Sequence, residues 1–300
     1  MNLIFTFFVV LIIIFIGYFS KRINLLKVNN TGTLNKIVIN ISMPALVFYS
    51  IYKINLSLIP KIGILPFINI SIVLICALIV YLILSFLKVD IKKKWSIVLV
   101  SSMANTGFFG FPIILGIYGN DGLIRAIFYD IGTTITFIIF NILLILKFKG
   151  EFKDLIKKIL TFPLLWAVFL GFIVNYLNIS IGYICLTSLE YLKNLTIPLI
   201  MLSLGLSIEF KGFKENINVI LFTSFIKLII APLIVILIMN IINLGYLEKT
   251  VAISEAAMPP AMLALVITLN YDLDSKITSD CIFSDMMISL ITLLLLMSII

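Results

Sequence analysis

The sequence predicts an all-α polytopic membrane protein with ten transmembrane helices, arranged as two inverted repeats of five. Three observations predict it: an extreme apolar composition, motifs that recur in both halves of the chain, and helix-breaking residues inside apolar stretches. Of the 300 residues, 62% are hydrophobic and 12% are charged, and the mean hydropathy is +1.24. Soluble domains carry about 25% charged residues. Lipid is therefore the expected solvent for most of this chain.

Ten apolar stretches can be drawn as spans, each close to the ~20 residues that cross a bilayer as a helix. The predicted spans are 2–20, 34–52, 62–87, 95–118, 122–146, 160–177, 187–208, 217–242, 248–270 and 277–299.

The basic residues predict how these spans are oriented. When each basic residue at a span edge is counted with its nearest loop, the odd loops hold 16 Lys and Arg and the even loops hold 5. The positive-inside rule then predicts cytoplasmic odd loops, with the N-terminus and the C-terminus outside. Lys21 and Arg22 follow the first apolar run instead of preceding it, so a cleaved signal peptide is not expected.

The two halves of the chain echo each other. We predict a first five-span repeat at 1–147, a cytoplasmic connector at 148–158, and a second repeat at 159–300. Three pairs of motifs recur in the same order: NISMPALVF with NLTIPLIML, SMANTGFFGFP with SEAAMPPAML, and Asp130 with Asp285. Because each repeat has an odd number of spans, the second repeat must enter the membrane from the opposite side. The internal repeat therefore predicts inverted topology.

Helix breakers interrupt the fourth and ninth spans. Gly107, Gly110 and Pro112 interrupt the fourth, and Pro259 and Pro260 interrupt the ninth. Glycine weakens a helix, and proline removes a backbone donor and clashes with the preceding turn. Non-helical backbone inside a membrane is tolerated only where protein groups or a water-filled cavity provide its hydrogen-bond partners. Matched interruptions in two repeats are typical of a binding site at the membrane midplane.

The interruptions also suggest the class of ligand. A broken helix exposes a new N-terminus with free N–H groups and about half a positive charge, which favours an anion. The alternative is a pair of kinks that serve only helix packing. The candidate substrate-binding residues are Asn105, Thr106, Gly107, Gly110, Pro112, Met258, Pro259 and Pro260.

Four ionisable residues lie within or at the edge of predicted spans: Asp130, Lys227, Glu255 and Asp285. A charge at the bilayer centre costs about 2.5–3.5 kcal/mol on insertion scales, so each needs a compensating role. One role is functional, namely coupling to H⁺ or Na⁺ or contact with substrate. The other is structural, namely an ion pair or a protonated carboxyl that fixes helix packing.

The composition excludes several classes of function. Histidine is absent and the three cysteines are far apart, so neither zinc-ligand spacing nor a disulfide framework is present. Nucleotide-binding fingerprints are also absent, and we expect no catalytic residues, no metal and no cofactor. The net charge of +8 is explained by the basic loops, so we expect no nucleic-acid partner.

At these motifs the sequence resembles the auxin efflux carrier family, which includes plant auxin exporters and bacterial malonate and malate permeases. The residues that carry the resemblance are Asn40 with Pro44, the run from Ala104 to Pro112, Tyr129 with Asp130, Pro198 with Gly205, Lys227 with Pro232, and Ala257 to Pro259. The resemblance covers nearly the whole chain. The ANTGFFGFP run is its most specific part.

The resemblance implies a fold like that of bile-acid symporters and sodium/proton carriers, with the fourth and ninth spans crossing. It implies a scaffold of spans one, two, six and seven, often dimeric, and a mobile transport unit of spans three to five and eight to ten. Its substrates are organic anions, moved by elevator-type alternating access. The central loop is short, which resembles a minimal bacterial form in the cell membrane. Glu255 has no counterpart in the family pattern.

The predicted function is therefore secondary active transport of a small carboxylate. The expected partners are the lipid bilayer and a second copy of the chain in a homodimer. Three alternatives remain open from the sequence. A sodium/proton-type antiporter would share the fold and the carboxyl groups. An intramembrane aspartyl protease would use Asp130 and Asp285 as a catalytic pair. A partner-binding protein without transport activity would not need matched helix breaks.

Overall fold

The structure is a computed structural model that describes residues 3–148, 150–208 and 216–299. Lys149 of the predicted connector and Lys211 and Lys214 of the seventh loop lie outside the described residues. The described chain is helical throughout, and its α-helices are α1 (Leu3–Arg22), α2 (Asn30–Ile37), α3 (Met43–Lys53), α4 (Ile59–Ile62), α5 (Leu65–Phe86), α6 (Ile91–Ser102), α7 (Phe111–Phe148), α8 (Phe152–Leu160), α9 (Pro163–Tyr176), α10 (Gly182–Ser207), α11 (Ile217–Ser224), α12 (Ala231–Ile241), α13 (Tyr246–Ala256), α14 (Met262–Asn270) and α15 (Ser275–Ile299).

Six helical stretches in the described part of the chain are long and apolar enough to cross a membrane, which makes this a polytopic membrane protein. They are Asn30–Lys53, Leu56–Phe86, Thr106–Phe148, Gly182–Ser207, Ile217–Ile241 and Ser275–Ile299. The ninth predicted span is not among them, because its halves α13 and α14 have 11 and 9 residues. The division into ten spans and the inverted repeat stay predictions.

The chain divides into two compact units. The first unit comprises residues 1–60, 111–124 and 156–208. Within it, α10 packs against α1, α2 and α3, and α3 packs against α9. Gly17 of α1 and Gly205 of α10 bring the two helices into backbone contact. A Cβ added to Gly205 would lie 2.0 Å from the carbonyl oxygen of Ile14. Small residues at a helix crossing are the usual way to pack helices closely in a membrane.

The second unit comprises residues 61–110, 125–155 and 209–300. Within it, α5 packs against α6 and α13, and α15 packs against α6, α11 and α14. Most of the buried ionisable side chains lie in this unit, together with Ser, Thr and Asn side chains that contact several of them. The polar interior of the protein is therefore concentrated in the second unit.

Three π-helical turns each end two residues before a proline. Val38–Ser42 comes before Pro44, Thr106–Gly110 before Pro112, and Phe225–Ile230 before Pro232. A proline ring clashes with the carbonyl of the fourth residue before it, and a wider turn relieves that clash. Such turns often lie at functional sites. Each one here contains a polar residue that the family resemblance singles out: Asn40, Thr106 and Lys227.

Two other irregularities affect the long helices. α7 is interrupted at Gly119, whose φ of 65° and ψ of −160° leave the helical region, between the fourth and fifth predicted spans. Glycine adopts such a conformation without steric cost. The predicted connector at 148–158 also contains structure, because its second part forms the amphipathic helix α8.

Candidate functional site

Two helix interruptions form the centre of the candidate site, and both lie in the second unit. α6 ends at Ser102, and the chain runs extended through Met103 before the π-helical turn begins at Thr106. α13 ends at Ala256, and α14 begins only at Met262. Pro259 and Pro260 explain the second break, because proline disfavours continuous helix. The first break, at 103–105, lies just before Gly107, Gly110 and Pro112, which the sequence predicted to interrupt this span.

The two interruptions pair with each other through their backbones. Ala104 and Pro260 face each other in an antiparallel bridge. The N–H of Asn105 donates to the carbonyl oxygen of Pro259 at 2.8 Å, and the N–H of Ala261 donates to that of Met103 at 2.9 Å. Interrupted helices leave buried backbone groups without partners, at a substantial free-energy cost. Each interruption here supplies hydrogen-bond partners for backbone groups of the other, so the two interruptions stabilise one another.

The helix that follows the first interruption is capped by Asn105. The side-chain Oδ1 of Asn105 accepts from the N–H of Phe108 at 3.2 Å, and its carbonyl oxygen accepts from the amides of Phe109 and Gly110 at 3.1 Å. Asparagine is a preferred residue at this position. The amides of Thr106 and Gly107 have no hydrogen-bond acceptor within the described ranges. These two N–H groups are therefore unpaired at the start of a helix in the described structure.

A neutral hydrogen-bond network surrounds Asp130 behind this helix start. The hydroxyl of Thr106 donates to Oδ1 of Asp130 and lies 3.0 Å from the hydroxyl of Thr133. Nδ2 of Asn69 donates to that hydroxyl and to the carbonyl oxygen of Tyr129, both at 2.8 Å. All of these side chains are buried. The network links α5, the π-helical turn and α7, and the carboxyl group of Asp130 is hydrogen-bonded within it.

Glu255 lies at the second interruption, one residue before the end of α13, and is fully buried. Neither of its carboxyl oxygens has a hydrogen-bond partner in the described structure. The carboxyl group packs directly on Gly110, where an added Cβ would lie 2.2 Å from Oε2 of Glu255. Gly110 therefore has a steric role, because any side chain there would displace the carboxyl group.

Lys227 and Asp285 complete the charged groups near the second interruption. Nζ of Lys227 donates to the carbonyl oxygen of Ala256 at 2.9 Å, so the ammonium caps the C-terminus of α13. Lys227 lies within electrostatic range of Glu255 and Asp285. Asp285 accepts a hydrogen bond from Ser224 through Oδ1, while its Oδ2 has no partner within the described residues.

The structure brings most of the predicted site residues together. Seven of the eight candidate substrate contacts lie in the two paired interruptions or the turn that follows the first: Asn105, Thr106, Gly107, Gly110, Met258, Pro259 and Pro260. The eighth, Pro112, is the second residue of α7 and belongs to the first unit. The four predicted ionisable residues all lie in the second unit and are buried. Asp130 and Asp285 accept hydrogen bonds from different hydroxyl groups.

Sequence reasoning missed a buried ion pair in the same unit. Nη2 of Arg125, on α7, lies 2.7 Å from Oε1 of Glu248, on the first turn of α13. Both side chains are more than nine-tenths buried. Neither residue was among the four ionisable residues that the sequence singled out. The available signal was that a basic residue stands near the start of the fifth predicted span and an acidic residue at the start of the ninth.

A surface groove of about 690 Å³ lies in the first unit. Leu56, Ile59 and Pro60 line one side, and α9 lines the other with aliphatic and aromatic side chains. The groove offers almost no polar group that could recognise a carboxylate. Among the described residues, no group of three or more Cys, Asp or Glu side chains could hold a metal ion. The paired interruptions are therefore the better candidate site.

Comparison with known proteins matches residues 3–297 to the family model described as "Membrane transport protein". This chain belongs to the membrane transport protein family. The resemblance to auxin efflux carriers, which was inferred from motifs, is thereby confirmed. Members of this family are membrane transporters, a class of proteins distinct from enzymes.

The relatives agree with this assignment. An "uncharacterized transporter" of Methanothermobacter thermautotrophicus is 37% identical over 95% of this chain and 94% of that protein. Transporter MJ1031 of Methanocaldococcus jannaschii is 36% identical over 96% and 95%. Transporter YfdV of Escherichia coli K12 is 23% identical over 89% and 88%. The similarity covers at least 88% of both chains in each case.

Proposed function

We propose that this member of the membrane transport protein family is a secondary active transporter of a small organic anion, and that a carboxylate binds at the paired interruptions. The observation that carries the proposal is the antiparallel pairing of Ala104 with Pro260, next to two free backbone amides. This pairing supports one binding site built from two helix breaks. Two unrelated kinks would not need to meet.

Backbone amides and helix dipoles would provide the anion recognition. The free N–H groups of Thr106 and Gly107 mark a helix start, where the dipole contributes about half a positive charge. Gly107 has no side chain, so a ligand can approach this backbone closely. The side-chain amide of Asn105 is available to donate as well, because its capping bond uses Oδ1. A carboxylate with two acceptor oxygens matches this set of donors.

The charges near the site suggest that transport is coupled to a cation. Besides the paired Arg125 and Glu248, the described part of this unit buries three carboxyl groups and two ammonium groups. The carboxyl groups are those of Asp130, Glu255 and Asp285, and the ammonium groups are those of Lys94 and Lys227. An anion would be repelled unless a carboxyl group is neutral or has a cation bound. The membrane potential opposes anion import by ~2.3 kcal/mol per charge per 100 mV. Coupling to H⁺ or Na⁺ would solve both problems, with Glu255 as the foremost coupling residue.

The division of the chain supports elevator-type alternating access. The candidate site lies in the second unit, which contains α5, α6 and α11 to α15. The first unit contains α1 to α3, α9 and α10, which correspond to the predicted scaffold spans. It also contains residues 111–124, which the prediction assigned to the transport unit. In the proposed mechanism the second unit carries the substrate across the bilayer of the cell membrane, and the first unit anchors it and forms the homodimer.

Reconstituted protein would test the proposal directly. Purified protein in liposomes is given a panel of labelled mono-, di- and tricarboxylates, and uptake and exchange are measured. The expected result is exchange of at least one carboxylate, together with a thermal shift by that compound which Asn105→Ala reduces. If no member of the panel is transported or bound, the proposal is wrong. Equal thermal shifts in both proteins would remove Asn105 from the set of contacts.

A cation/proton antiporter is the second candidate, and the unpartnered carboxyl group of Glu255 is the observation that favours it. Such a protein would exchange Na⁺ for H⁺ at the carboxyl groups and would bind no organic substrate. Dye quenching in proteoliposomes distinguishes the two functions. A response to Na⁺ pulses without any carboxylate would favour the antiporter, whereas a response that requires the carboxylate would favour the anion transporter.

A further inference from the structure

The helix α8 presents an exposed apolar stripe that no described part of the chain covers. Phe152, Ile156 and Leu160 recur every four residues, and their exposed fractions are 47%, 55% and 59%. Residues four apart lie on one face of a helix. Leu155 is buried, so the helix has a separate face that packs on the protein. Three large apolar side chains on one line would be unfavourable in water, and their position implies contact with lipid.

The lysines of α8 continue the helix surface beyond this stripe. At about 100° per residue, Lys153 and Lys157 lie next to its edge, and Lys158 lies on the opposite side of the helix. All three are exposed. Their aliphatic stems can follow the apolar surface while the ammonium groups reach the polar region. An apolar face bordered by basic residues is typical of a helix that lies in the membrane interface.

Trp166 provides an independent observation about the depth of this segment. Its indole Nε1 donates to the carbonyl oxygen of Leu160, the last residue of α8, at 2.7 Å. The ring is 47% exposed and packs edge-on against Phe169. Exposed tryptophans in membrane proteins concentrate at the headgroup level, where an apolar ring and a polar N–H are both satisfied. The end of α8 is thus tied to a side chain that favours the lipid–water interface.

We propose that α8 is a binding surface for anionic phospholipid. Phe152, Ile156 and Leu160 insert at the boundary between headgroups and acyl chains, while Lys153 and Lys157 bind the negatively charged headgroup phosphates. Lys158 adds to the positive charge of the helix. The predicted topology places this surface at the cytoplasmic leaflet. α8 joins the two halves of the chain, so the connector is a lipid-bound element instead of a solvated loop. The proposal is independent of the substrate.

Fluorescence quenching of Trp166 in the full chain tests this proposal. The Trp95→Phe variant leaves Trp166 as the only tryptophan; Trp95 has no hydrogen-bond partner for its Nε1 in the described structure, so little is lost. The protein is reconstituted with brominated phosphatidylglycerol or brominated phosphatidylcholine at equal mole fractions. We expect a preference of about three- to fivefold for phosphatidylglycerol, which falls with added salt.

Two charge-matched variants decide whether α8 is responsible. Lys153→Gln/Lys157→Gln/Lys158→Gln is expected to abolish the preference. The control Lys27→Gln/Lys36→Gln/Lys53→Gln removes three exposed lysines elsewhere and should retain it. Equal quenching by the two lipids in the Trp95→Phe protein, or an unchanged preference in the α8 variant, would overturn the proposal. Weak quenching by both lipids would also overturn it, because a second copy of the chain would then cover this face.

Discussion

The two interruptions in the second unit meet but differ in chemistry. The first is followed by Thr106, whose hydroxyl joins a neutral network around Asp130. The second is preceded by Glu255, whose carboxyl oxygens have no hydrogen-bond partner in the described chain, and by an end of α13 that the ammonium of Lys227 caps. The two backbone breaks are therefore flanked by side chains of different chemistry. We infer that the first interruption recognises substrate and the second carries the coupling charge.

Glu255→Gln is expected to have the largest effect. The substitution keeps the size of the side chain but removes its ability to ionise. Cation-driven net uptake should fall about 100-fold, equivalent to about 2.7 kcal/mol, while exchange of carboxylate for carboxylate should persist. Both rates are measured in the same proteoliposomes. Glu190→Gln, at an exposed position of the first unit, is the matched control. Normal driven uptake by Glu255→Gln would assign the coupling charge to another group.

Gly110→Ala tests the contact between the two interruptions. The added Cβ would overlap the carboxyl group of Glu255, which is fully buried and has little room to move. Overpacking of this kind costs about 1–3 kcal/mol of stability, and we expect transport to fall by roughly tenfold or more. Thermal unfolding and uptake are measured together. Gly32→Ala is the control, because nothing lies within 4 Å of its added Cβ. If Gly110→Ala and Gly32→Ala showed equal thermal stability and equal uptake, Gly110 would have no steric role.

Thr106→Val probes the neutral interruption and should have a smaller effect. Valine has the same shape but cannot donate to Asp130 or contact the hydroxyl of Thr133. Loss of this neutral hydrogen bond is expected to destabilise the protein by about 0.5–1.5 kcal/mol. Thr106→Ser should restore most of the stability, since it restores the hydroxyl. Denaturant unfolding in detergent provides the measurement. Equal destabilisation by valine and serine would mean that packing, and not the hydroxyl, is responsible.

Lys92→Gln should have the smallest effect, because its ion pair with Asp272 is exposed. Nζ of Lys92 lies 2.6 Å from Oδ2 of Asp272 and holds the pKa of that carboxyl below its usual value. Such a pair stabilises the protein above the ordinary pKa of aspartate and loses its effect as the pH falls through the lowered pKa. Solvent screens exposed pairs. Thermal midpoints of the variant and the original protein should therefore coincide between pH 7 and pH 3; a clear divergence would contradict this.

The sequence predicted the membrane class and the helix break at Pro259 and Pro260, because both depend on local composition. The first break was predicted at Gly107, Gly110 and Pro112 but lies at 103–105, ahead of these residues. The π-helical turn before Pro232 could also have been anticipated, since the steric demand of proline is local.

The hydrogen-bond and ion-pair partners of the buried polar residues could not be predicted, because these partners depend on how distant segments of the chain pack. The pairing of Arg125 with Glu248 joins residues 123 positions apart, and that of Asn69 with Thr133 joins residues 64 apart. The contact of Gly110 with Glu255 likewise depends on the approach of α13 to the first interruption. Asn105 was predicted to contact substrate, but its Oδ1 is used as a helix cap, which leaves only its amide group for a ligand.

A cryo-EM map of the protein with a bound carboxylate would test the central claim most directly. We expect density for the carboxylate against the amides of Thr106 and Gly107, beside an intact bridge between Ala104 and Pro260. Density for the ligand elsewhere, or unbroken helices through 102–106 and 256–262, would contradict it.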